Sequence, residues 1–158
     1  LGKVLAAKDS SAAKTLYMVS RVIDGDTIEI TDGIGEMKLR LIGVDTPETV
    51  HPQKPVEYFG REASNFMKLL LENEKVYLEL DPINTRIEHL DRYNRLLAYV
   101  YRASDSLFVN AALIRMGYGH AYIQYEFQYQ EWFEQLQKEA REEGVGLWAE
   151  DRTQMENH

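Results

Sequence analysis

The stretch TLYMVSRVIDGDTIEITDGIGEMKLRL, residues 15–41, decides the fold of this chain. It is rich in β-branched residues, and two Asp-Gly dipeptides, Asp24-Gly25 and Asp32-Gly33, divide it. β-Branched residues favour strands, and Asp-Gly is the strongest short-range signal for a tight hairpin turn. The stretch therefore predicts three consecutive strands joined by tight turns.

Outside this stretch, helical and extended patterns alternate. Residues 58–73 carry apolar side chains at spacings of three and four, which is typical of an amphipathic helix. The remaining patterns predict two strands, in 75–81 and 95–101, and two helices, in 108–116 and 127–143. A helix between the third and fourth of five strands is the order of an OB-type barrel. We therefore expect an α+β, mainly β fold: a five-stranded OB-fold barrel with about three appended α-helices.

The composition favours one globular domain. The chain has 158 residues, of which 44% are apolar, and this suffices for a single core. It contains no cysteine, which excludes disulfides and thiolate chemistry, and no stretch of the roughly 18 to 20 apolar residues that a membrane span needs. We expect a flexible arm over residues 1–14, the domain over 15–150 and a flexible tail over 151–158.

The net charge of −8 is distributed unevenly. Residues 126–158 contain nine acids and three bases, a balance of −6, so the first 125 residues carry only −2. Within residues 81–102, four arginines outnumber three acids. Proteins that bind nucleic acids usually present a local basic surface, and this distribution is compatible with one.

Carboxylates cluster at two predicted chain reversals. The sequence Asp24-Gly25-Asp26-Thr27 is typical of a hairpin turn, and taken alone it indicates only a turn. The sequence Asp45-Thr46-Pro47-Glu48 places two carboxylates around a rigid proline, or is simply a polar strand end. Carboxylates of Asp26 and Asp45 with one backbone carbonyl would suit Ca²⁺ or Mg²⁺ and leave positions for water and a phosphate oxygen.

Two arginines lie in otherwise apolar runs, Arg40 in LRLIGV and Arg95 at the start of RLLAYVY. An arginine on a barrel strand is more often exposed or half of an ion pair than catalytic. Two guanidiniums together, however, grip a phosphate and stabilise the charge that develops during attack. Arg40 and Asp45 are five positions apart, so they face one site only if the strand is interrupted, and we expect the interruption at Gly43.

Five strings in this order and spacing closely resemble the staphylococcal nuclease (thermonuclease) family: VIDGDT, LRLIGVDTPET followed by HP, YFGREAS, DRYNRLLAYVY and GLWAED. The resemblance covers roughly residues 19–151, and VDTPE preceded by an arginine is highly specific. It implies a five-stranded OB barrel with three helices. It also implies a Ca²⁺-dependent phosphodiesterase that cuts DNA and RNA with water as the nucleophile and leaves 3′-phosphate ends.

The same resemblance implies a metal site. Asp26 and Asp45 would be the carboxylate ligands of Ca²⁺, and Thr46 would contribute its backbone carbonyl. Asp24 would contact these ligands but not the metal itself.

For catalysis, the resemblance implies that Glu48 orients or deprotonates the attacking water, while Arg40 and Arg95 hold the scissile phosphate. The cleavage apparatus is complete in this sequence.

Substrate contacts depart further from the family pattern. Arg92 and Tyr93 would touch phosphate and base, and Tyr122 would stack on a base. Asn94 stands where the family has glycine, and asparagine tolerates a positive φ. Gln124 occupies the position of a second stacking tyrosine, so base preference is not implied.

The alternative function is a non-catalytic OB-fold module that binds an oligonucleotide or a protein, although such modules typically lack the metal carboxylates or the arginines. A structural calcium-binding protein would leave Arg40 and Arg95 without a role. As partners we expect DNA and RNA substrates and Ca²⁺, with no obligate protein partner and a monomeric state. Because a nonspecific nuclease endangers its own genome, we expect the protein outside the cell or in the envelope.

Overall fold

The computed structural model describes residues 14–48 and 58–149. The predicted arm, apart from Lys14, and the predicted tail lie outside the described residues, as does the segment 49–57. The fold reported below is that of the described part of the predicted domain.

Five strands close into a barrel, as predicted. The described residues form seven strands, and β4 and β7 lie outside the barrel. In chain order the strands are β1 (Tyr17–Asp24), β2 (Thr27–Thr31), β3 (Glu36–Leu41), β4 (Val44–Asp45), β5 (Lys75–Glu79), β6 (Leu96–Arg102) and β7 (His120–Ala121). The barrel order is β1-β2-β3-β6-β5, with β3 and β6 parallel and the other pairs antiparallel. Strands β4 and β7 form a separate ribbon that was not predicted, because two residues carry no periodicity.

Strands β2 and β3 bury alternate apolar side chains, whereas a register shift in β1 separates its buried Val19 and Val22 by three positions. Val19, Ile28, Ile30 and Leu39 are at most 2% exposed inside the barrel. Fully burying a side chain of this size stabilises the fold by about 1.5–3 kcal/mol. The Asp-Gly turns between the strands therefore lie at fixed positions on the barrel rim.

Three α-helices cover the barrel, also as predicted: α1 (Gly60–Leu71), α2 (Val109–Arg115) and α3 (Gln130–Glu143). Helix α1 contacts β1, and α2 contacts β6 and α3. Phe108 and Phe133, which are at most 2% exposed, fill the layer between barrel and helices. Across residues 14–48 and 58–149, no helix is long and apolar enough to cross a bilayer.

A buried asparagine ties the helical layer to the turn that follows β3. Asn110 is fully buried, and its Nδ2 donates to the carbonyl of Ile42 at 2.9 Å. Its Oδ1 accepts from the amide of Val100 on β6 at 2.9 Å. A buried amide that lost these partners would cost about 1–3 kcal/mol. Asn110 therefore fixes the residue immediately before Gly43.

A buried carboxylate anchors the connection between β5 and β6, which contains a 3₁₀ helix (Pro82–Ile87). Asp81 is 2% exposed and accepts from the Tyr99 hydroxyl at 2.6 Å and the amide of Gln128 at 2.8 Å. Burial and this carboxylate raise the pKa of the Tyr99 hydroxyl. The connection is thus fixed at its base by the barrel and by the segment before α3.

Candidate active site

A cleft of about 540 Å³ opens on the barrel wall. Its lining comes from the β1–β2 turn, from β3 and β4, and from the end of the connection before β6: Ile23, Asp24, Asp26, Thr27, Lys38, Arg40, Asp45, Thr46, Glu48, Tyr93 and Arg95. The lining includes four carboxylates and three cationic side chains. Such a mixture suits a ligand that combines a divalent cation with a phosphate.

The sequence Asp24-Gly25-Asp26-Thr27 is both a turn and part of the cleft. Asp24 pairs with Thr27 across the β1–β2 hairpin, and Asp24 Oδ1 accepts from the amide of Gly25 at 3.0 Å. Asp24 and Asp26 are each 7% exposed. The turn prediction is therefore confirmed, and the hairpin also places two carboxylates in the cleft.

Asp26 contacts three other parts of the cleft. Its Oδ1 accepts from the Thr27 hydroxyl at 3.0 Å, and its Oδ2 accepts from the amide of Thr46 at 3.0 Å. Arg40 Nη2 lies 3.3 Å from the same Oδ2. These contacts join the hairpin, β3 and the residue after β4 around one carboxylate.

The strand is interrupted where the sequence predicts it. β3 ends at Leu41, the chain turns through Ile42 and Gly43 at φ +77°, and β4 begins at Val44. Only glycine adopts this φ readily. A Cβ at Gly43 would also lie 2.6 Å from the Phe127 ring. Gly43 therefore permits both the turn and the close packing of Phe127.

The turn brings Arg40 to the same cleft as Asp45. Arg40 Nη1 donates to the carbonyls of Leu41 at 2.7 Å and Val44 at 2.6 Å, so the guanidinium spans the turn. Its Nη2 lies 3.8 Å from Asp45 Oδ1. The Arg40 side chain is 14% exposed and that of Asp45 is 53% exposed, so the aspartate faces the cleft opening.

Two carboxylates and one backbone segment fit a hard divalent cation. Asp26 and Asp45 each lie within 4 Å of Arg40 Nη2, so the two carboxylates border the same guanidinium nitrogen. The hydroxyl of Thr46 is buried with no hydrogen-bond partner among the described residues. No three Asp, Glu or His side chains in residues 14–48 and 58–149 converge as a complete metal site. A cation here would take few protein ligands and complete its shell with water.

Glu48 and Arg95 line the cleft from separate segments. Glu48 is half-buried and follows the buried Pro47, at the end of the described segment 14–48. Arg95 precedes β6, and its Nε donates to Asp91 Oδ2 at 2.7 Å. The five charged residues singled out from the sequence, Asp26, Arg40, Asp45, Glu48 and Arg95, thus share one cleft.

The predicted substrate contacts are only partly assembled. Tyr93 lines the cleft and is 64% exposed, and Arg92 lies beside it, with Cζ 5.0 Å from its ring. Arg92 and Tyr122 do not line the cleft. The Tyr122 ring lies 5.9 Å from Arg40 Cζ, and its hydroxyl donates to Gln124 Oε1 at 2.8 Å. Asn94 has φ +62°, so the expectation of a positive φ is confirmed.

One charged residue in the cleft lining and one that contacts the lining were not singled out from the sequence. Lys38 lies two positions before Arg40 on β3, so strand alternation alone would have placed both on one face. Asp91 lies behind Arg95, and the Asp-to-Asn spacing in DRYNR is a turn signal. Both could have been found from local pattern.

The geometry supports phosphate chemistry. Hard carboxylate oxygens can hold a divalent cation, and two guanidiniums can hold phosphate oxygens and gain strength as charge develops. A further carboxylate, Glu48, can take a proton from water. The two histidines in the described part of the chain, His89 and His120, do not line the cleft.

Comparisons with known proteins found relatives that match most of this chain. Residues 38–150 match the family model described as staphylococcal nuclease homologue. The thermonuclease of Staphylococcus hyicus is 42% identical over 149 residues, which cover 94% of this chain and 84% of the relative. The thermonuclease of Staphylococcus intermedius is 44% identical over 133 residues, covering 84% and 75%. The SPbeta prophage-derived endonuclease YokF of Bacillus subtilis (strain 168) is 34% identical over 135 residues, covering 84% and 44%.

Proposed function

Because this chain belongs to the staphylococcal nuclease family and is a hydrolase that cleaves nucleic acids, we propose that it acts on both DNA and RNA in a Ca²⁺-dependent reaction. Water attacks the phosphate, the bond to the 5′ oxygen breaks, and a 3′-phosphate end remains. The observation that carries this proposal is the single cleft shared by Asp26, Arg40, Asp45, Glu48 and Arg95.

In this proposal Asp26, Asp45 and the carbonyl of Thr46 hold the cation. When bound, Ca²⁺ supplies positive charge next to the phosphate. Asp26 is already oriented by the Thr46 amide and the Thr27 hydroxyl, so its carboxylate has little freedom to lose. Ca²⁺ is favoured over Mg²⁺ because a site with few protein ligands suits the ion with the more permissive coordination.

The two arginines hold the phosphate from neighbouring strands, since Arg40 lies on β3 and Arg95 immediately precedes β6. Arg40 is anchored through Nη1 to two carbonyls, and Arg95 is anchored through Nε to Asp91. Arg95 keeps both Nη nitrogens for phosphate oxygens, whereas Nη2 of Arg40 lies beside the carboxylates of Asp26 and Asp45. The equatorial oxygens become more negative during attack, so these contacts strengthen in the transition state.

Glu48 acts as the general base. It is a half-buried carboxylate that lines the cleft with the proposed metal ligands, and His89 and His120 lie elsewhere. A carboxylate in this position orients the water and accepts its proton as the new P–O bond forms. The proton reaches the 5′ oxygen of the leaving strand through solvent.

Substrate binding is proposed to extend beyond the cleft. Tyr93 offers a 64% exposed ring at the cleft edge, and Arg92 lies within 5.0 Å of that ring. The Tyr122 ring lies beside Arg40, 5.9 Å from its Cζ. Exposed aromatic rings next to guanidiniums suit bases and phosphates of a single strand. Little sequence specificity is expected, because stacking tolerates every base.

The non-catalytic alternative has no observation in its favour. A binding module needs basic and aromatic side chains but no carboxylates beside the phosphate, whereas four carboxylates line this cleft. A structural calcium site would not require Arg40 and Arg95 at the same opening.

The decisive experiment measures cleavage of single-stranded DNA, duplex DNA and RNA in three conditions: Ca²⁺, Mg²⁺ with a calcium chelator, and chelator alone. We expect cleavage of all three substrates with Ca²⁺ and little or none otherwise. Undiminished cutting in Mg²⁺ would contradict the calcium proposal, and intact substrate under all conditions would contradict nuclease function.

Asp32 provides a matched control for the metal ligands, because it belongs to the other Asp-Gly turn and lies away from the cleft. Asp26→Asn and Asp45→Asn should weaken Ca²⁺ binding in calorimetric titration and lower turnover. Asp32→Asn should leave both quantities unchanged.

Location outside the cell or in the envelope and a monomeric state are also proposed. Fractionation of the native host and light scattering of the purified protein test them.

A further inference from the structure

We propose that Asp91 is a positioning residue for the reaction: it holds the guanidinium of Arg95 by one edge, so that the two Nη nitrogens face the substrate phosphate. The proposal rests on the proposed function, since it concerns the same phosphate. It is carried by the contacts of Asp91, which does not itself line the cleft.

Asp91 organises the turn that carries Arg95. Its Oδ1 accepts from the amides of Tyr93 and Arg95, each at 2.9 Å. Its backbone accepts from the amide of Asn94 at 3.0 Å and donates to the carbonyl of Arg95 at 2.9 Å. Asn94 has a positive φ, which completes the reversal. The backbone of Arg95 is therefore fixed relative to Asp91 from several directions.

The second carboxylate oxygen fixes the side chain. Arg95 Nε donates to Asp91 Oδ2 at 2.7 Å, with side-chain exposures of 27% for Arg95 and 17% for Asp91. A guanidinium held through Nε keeps the end that carries Nη1 and Nη2, whose parallel N–H groups match two phosphate oxygens. The Tyr93 ring lies 5.2 Å from Arg95 Cζ and borders one face of the group.

A carboxylate is required at this position, because Asp91 accepts three N–H groups on two oxygens. Asparagine has one acceptor oxygen, and its NH₂ group would face donors. Asp91→Asn must therefore lose either the bonds that shape the turn or the bond that orients Arg95. Misplacement by about 1 Å of a group that binds the reacting phosphate can lower the rate by about 10²-fold.

Asp105 provides a matched control just beyond the other end of β6. It binds Arg102 at the other end of β6, with Oδ1 3.0 Å from Nε and Oδ2 2.6 Å from Nη2, and it also accepts a backbone amide. Neither residue of this pair lines the cleft. Asp105→Asn should therefore leave turnover unchanged, although it removes a comparable ion pair.

The test is a double-mutant cycle. Asp91→Asn should lower kcat about 10- to 100-fold in the wild-type background and have no further effect in an Arg95→Ala background. Wild-type kcat in folded Asp91→Asn, or an equal loss of kcat in both backgrounds, would overturn the proposal, since Asp91 would then not act through Arg95.

A readout without turnover tests the pairing separately. The NMR resonance of the Arg95 Nε–H should be protected from solvent exchange in the wild type and lose that protection in Asp91→Asn. Asp91→Glu keeps a carboxylate, so it should retain the protection and lose less turnover. An unprotected Nε–H in the wild type, or equal losses in the Asn and Glu variants, would contradict the positioning role. Absence of cleavage by the wild type would instead contradict the proposed function and leave the resonance test standing.

Discussion

The guanidinium of Arg40 lies 3.8 Å from the carboxylate of Asp45, measured from Nη2 to Oδ1, although an unbroken strand would point residues five positions apart to opposite faces. The turn at Ile42 and Gly43 brings the two side chains to the same side of the chain. Arg40 stabilises this turn by donating to the carbonyls of Leu41 and Val44. The proposed phosphate contact and the proposed metal ligand thus depend on one local backbone irregularity.

Gly43→Ala should therefore damage both stability and activity. The residue has φ +77°, where a side chain is strained, and the added Cβ would lie 2.6 Å from the ring of Phe127 and 2.8 Å from that of Phe133. Backbone strain alone costs about 1–3 kcal/mol. In urea denaturation, the free energy of unfolding should fall by an amount at the upper end of this range or above it. Ca²⁺ titration should show weaker binding of the ion.

Gly33→Ala is the control for Gly43→Ala. Gly33 also has a positive φ, +97°, but a Cβ there would meet nothing within 4 Å. In this variant the free energy of unfolding should fall only by the cost of backbone strain, and turnover should be normal. Equal effects of the two substitutions would mean that packing against Phe127 does not hold the turn.

Arg40→Lys and Arg95→Lys should each lower turnover by about 10²- to 10³-fold with a smaller change in substrate affinity. Lysine offers a point charge and cannot both keep the anchoring contact and present a two-pronged contact to phosphate. Single-turnover kinetics and binding to a non-hydrolysable oligonucleotide separate the two quantities. Arg21→Lys is the control, because Arg21 is an exposed barrel arginine paired with Glu29 at 3.8 Å. Near-wild-type turnover in either folded cleft variant would remove that arginine from the mechanism.

The barrel could be predicted from sequence because its causes are local. Residues 15–41 contain their own Asp-Gly turns and many β-branched residues, and the helix of residues 60–71 has a clear 3.6-residue period. The ribbon between β4 and β7 could not be predicted, since a two-residue strand is defined by its partner. Tertiary context, not propensity, forms it.

The charged residues of the site could be predicted from the sequence, but the anchoring contacts of Arg40 could not. Asp26, Arg40 and Asp45 stand in strings that resemble the family. The interruption of the strand at Gly43 follows from strand geometry, because Arg40 and Asp45 are five positions apart. The bonds of Arg40 to the carbonyls of Leu41 and Val44 depend on how that turn is closed. Such contacts are set by three-dimensional packing and leave no periodic pattern in the sequence.

Glu48→Gln should bind Ca²⁺ and nucleic acid nearly normally while turnover falls by about 10²- to 10⁴-fold, which is the usual contribution of a general base. The amide keeps the shape of the carboxylate but cannot accept the proton. Calcium titration, oligonucleotide binding and thermal unfolding should accompany the kinetics, so that a shift of the chain around Glu48 is detected. Glu62→Gln, on the exposed first turn of α1, is the control. Unchanged turnover in a folded, calcium-binding Glu48→Gln protein would assign the base elsewhere.

Stability should fall above about pH 10, because three tyrosines at the junction of barrel and helices resist ionisation in the folded state. Burial raises the pKa of Tyr99 and of Tyr101, and burial with the neighbouring Glu79 carboxylate raises the pKa of Tyr129 to about 12. An unfolded tyrosine ionises near pH 10. Above that pH the unfolded chain releases protons that the folded chain retains, so the free energy of unfolding decreases with rising pH. The stabilisation from Tyr129 is complete below about pH 10 and is lost as the pH rises through about 12.

Urea denaturation at intervals from pH 8 to pH 12 measures this decrease. Tyr129 donates to Glu79 Oε1 at 2.8 Å, so Tyr129→Phe removes both the hydroxyl and its proton. The variant should be less stable than the wild type at pH 8, and its stability should fall less steeply above pH 10. A wild-type free energy of unfolding that stayed constant from pH 10 to pH 12 would show that these hydroxyls ionise without cost in the folded barrel.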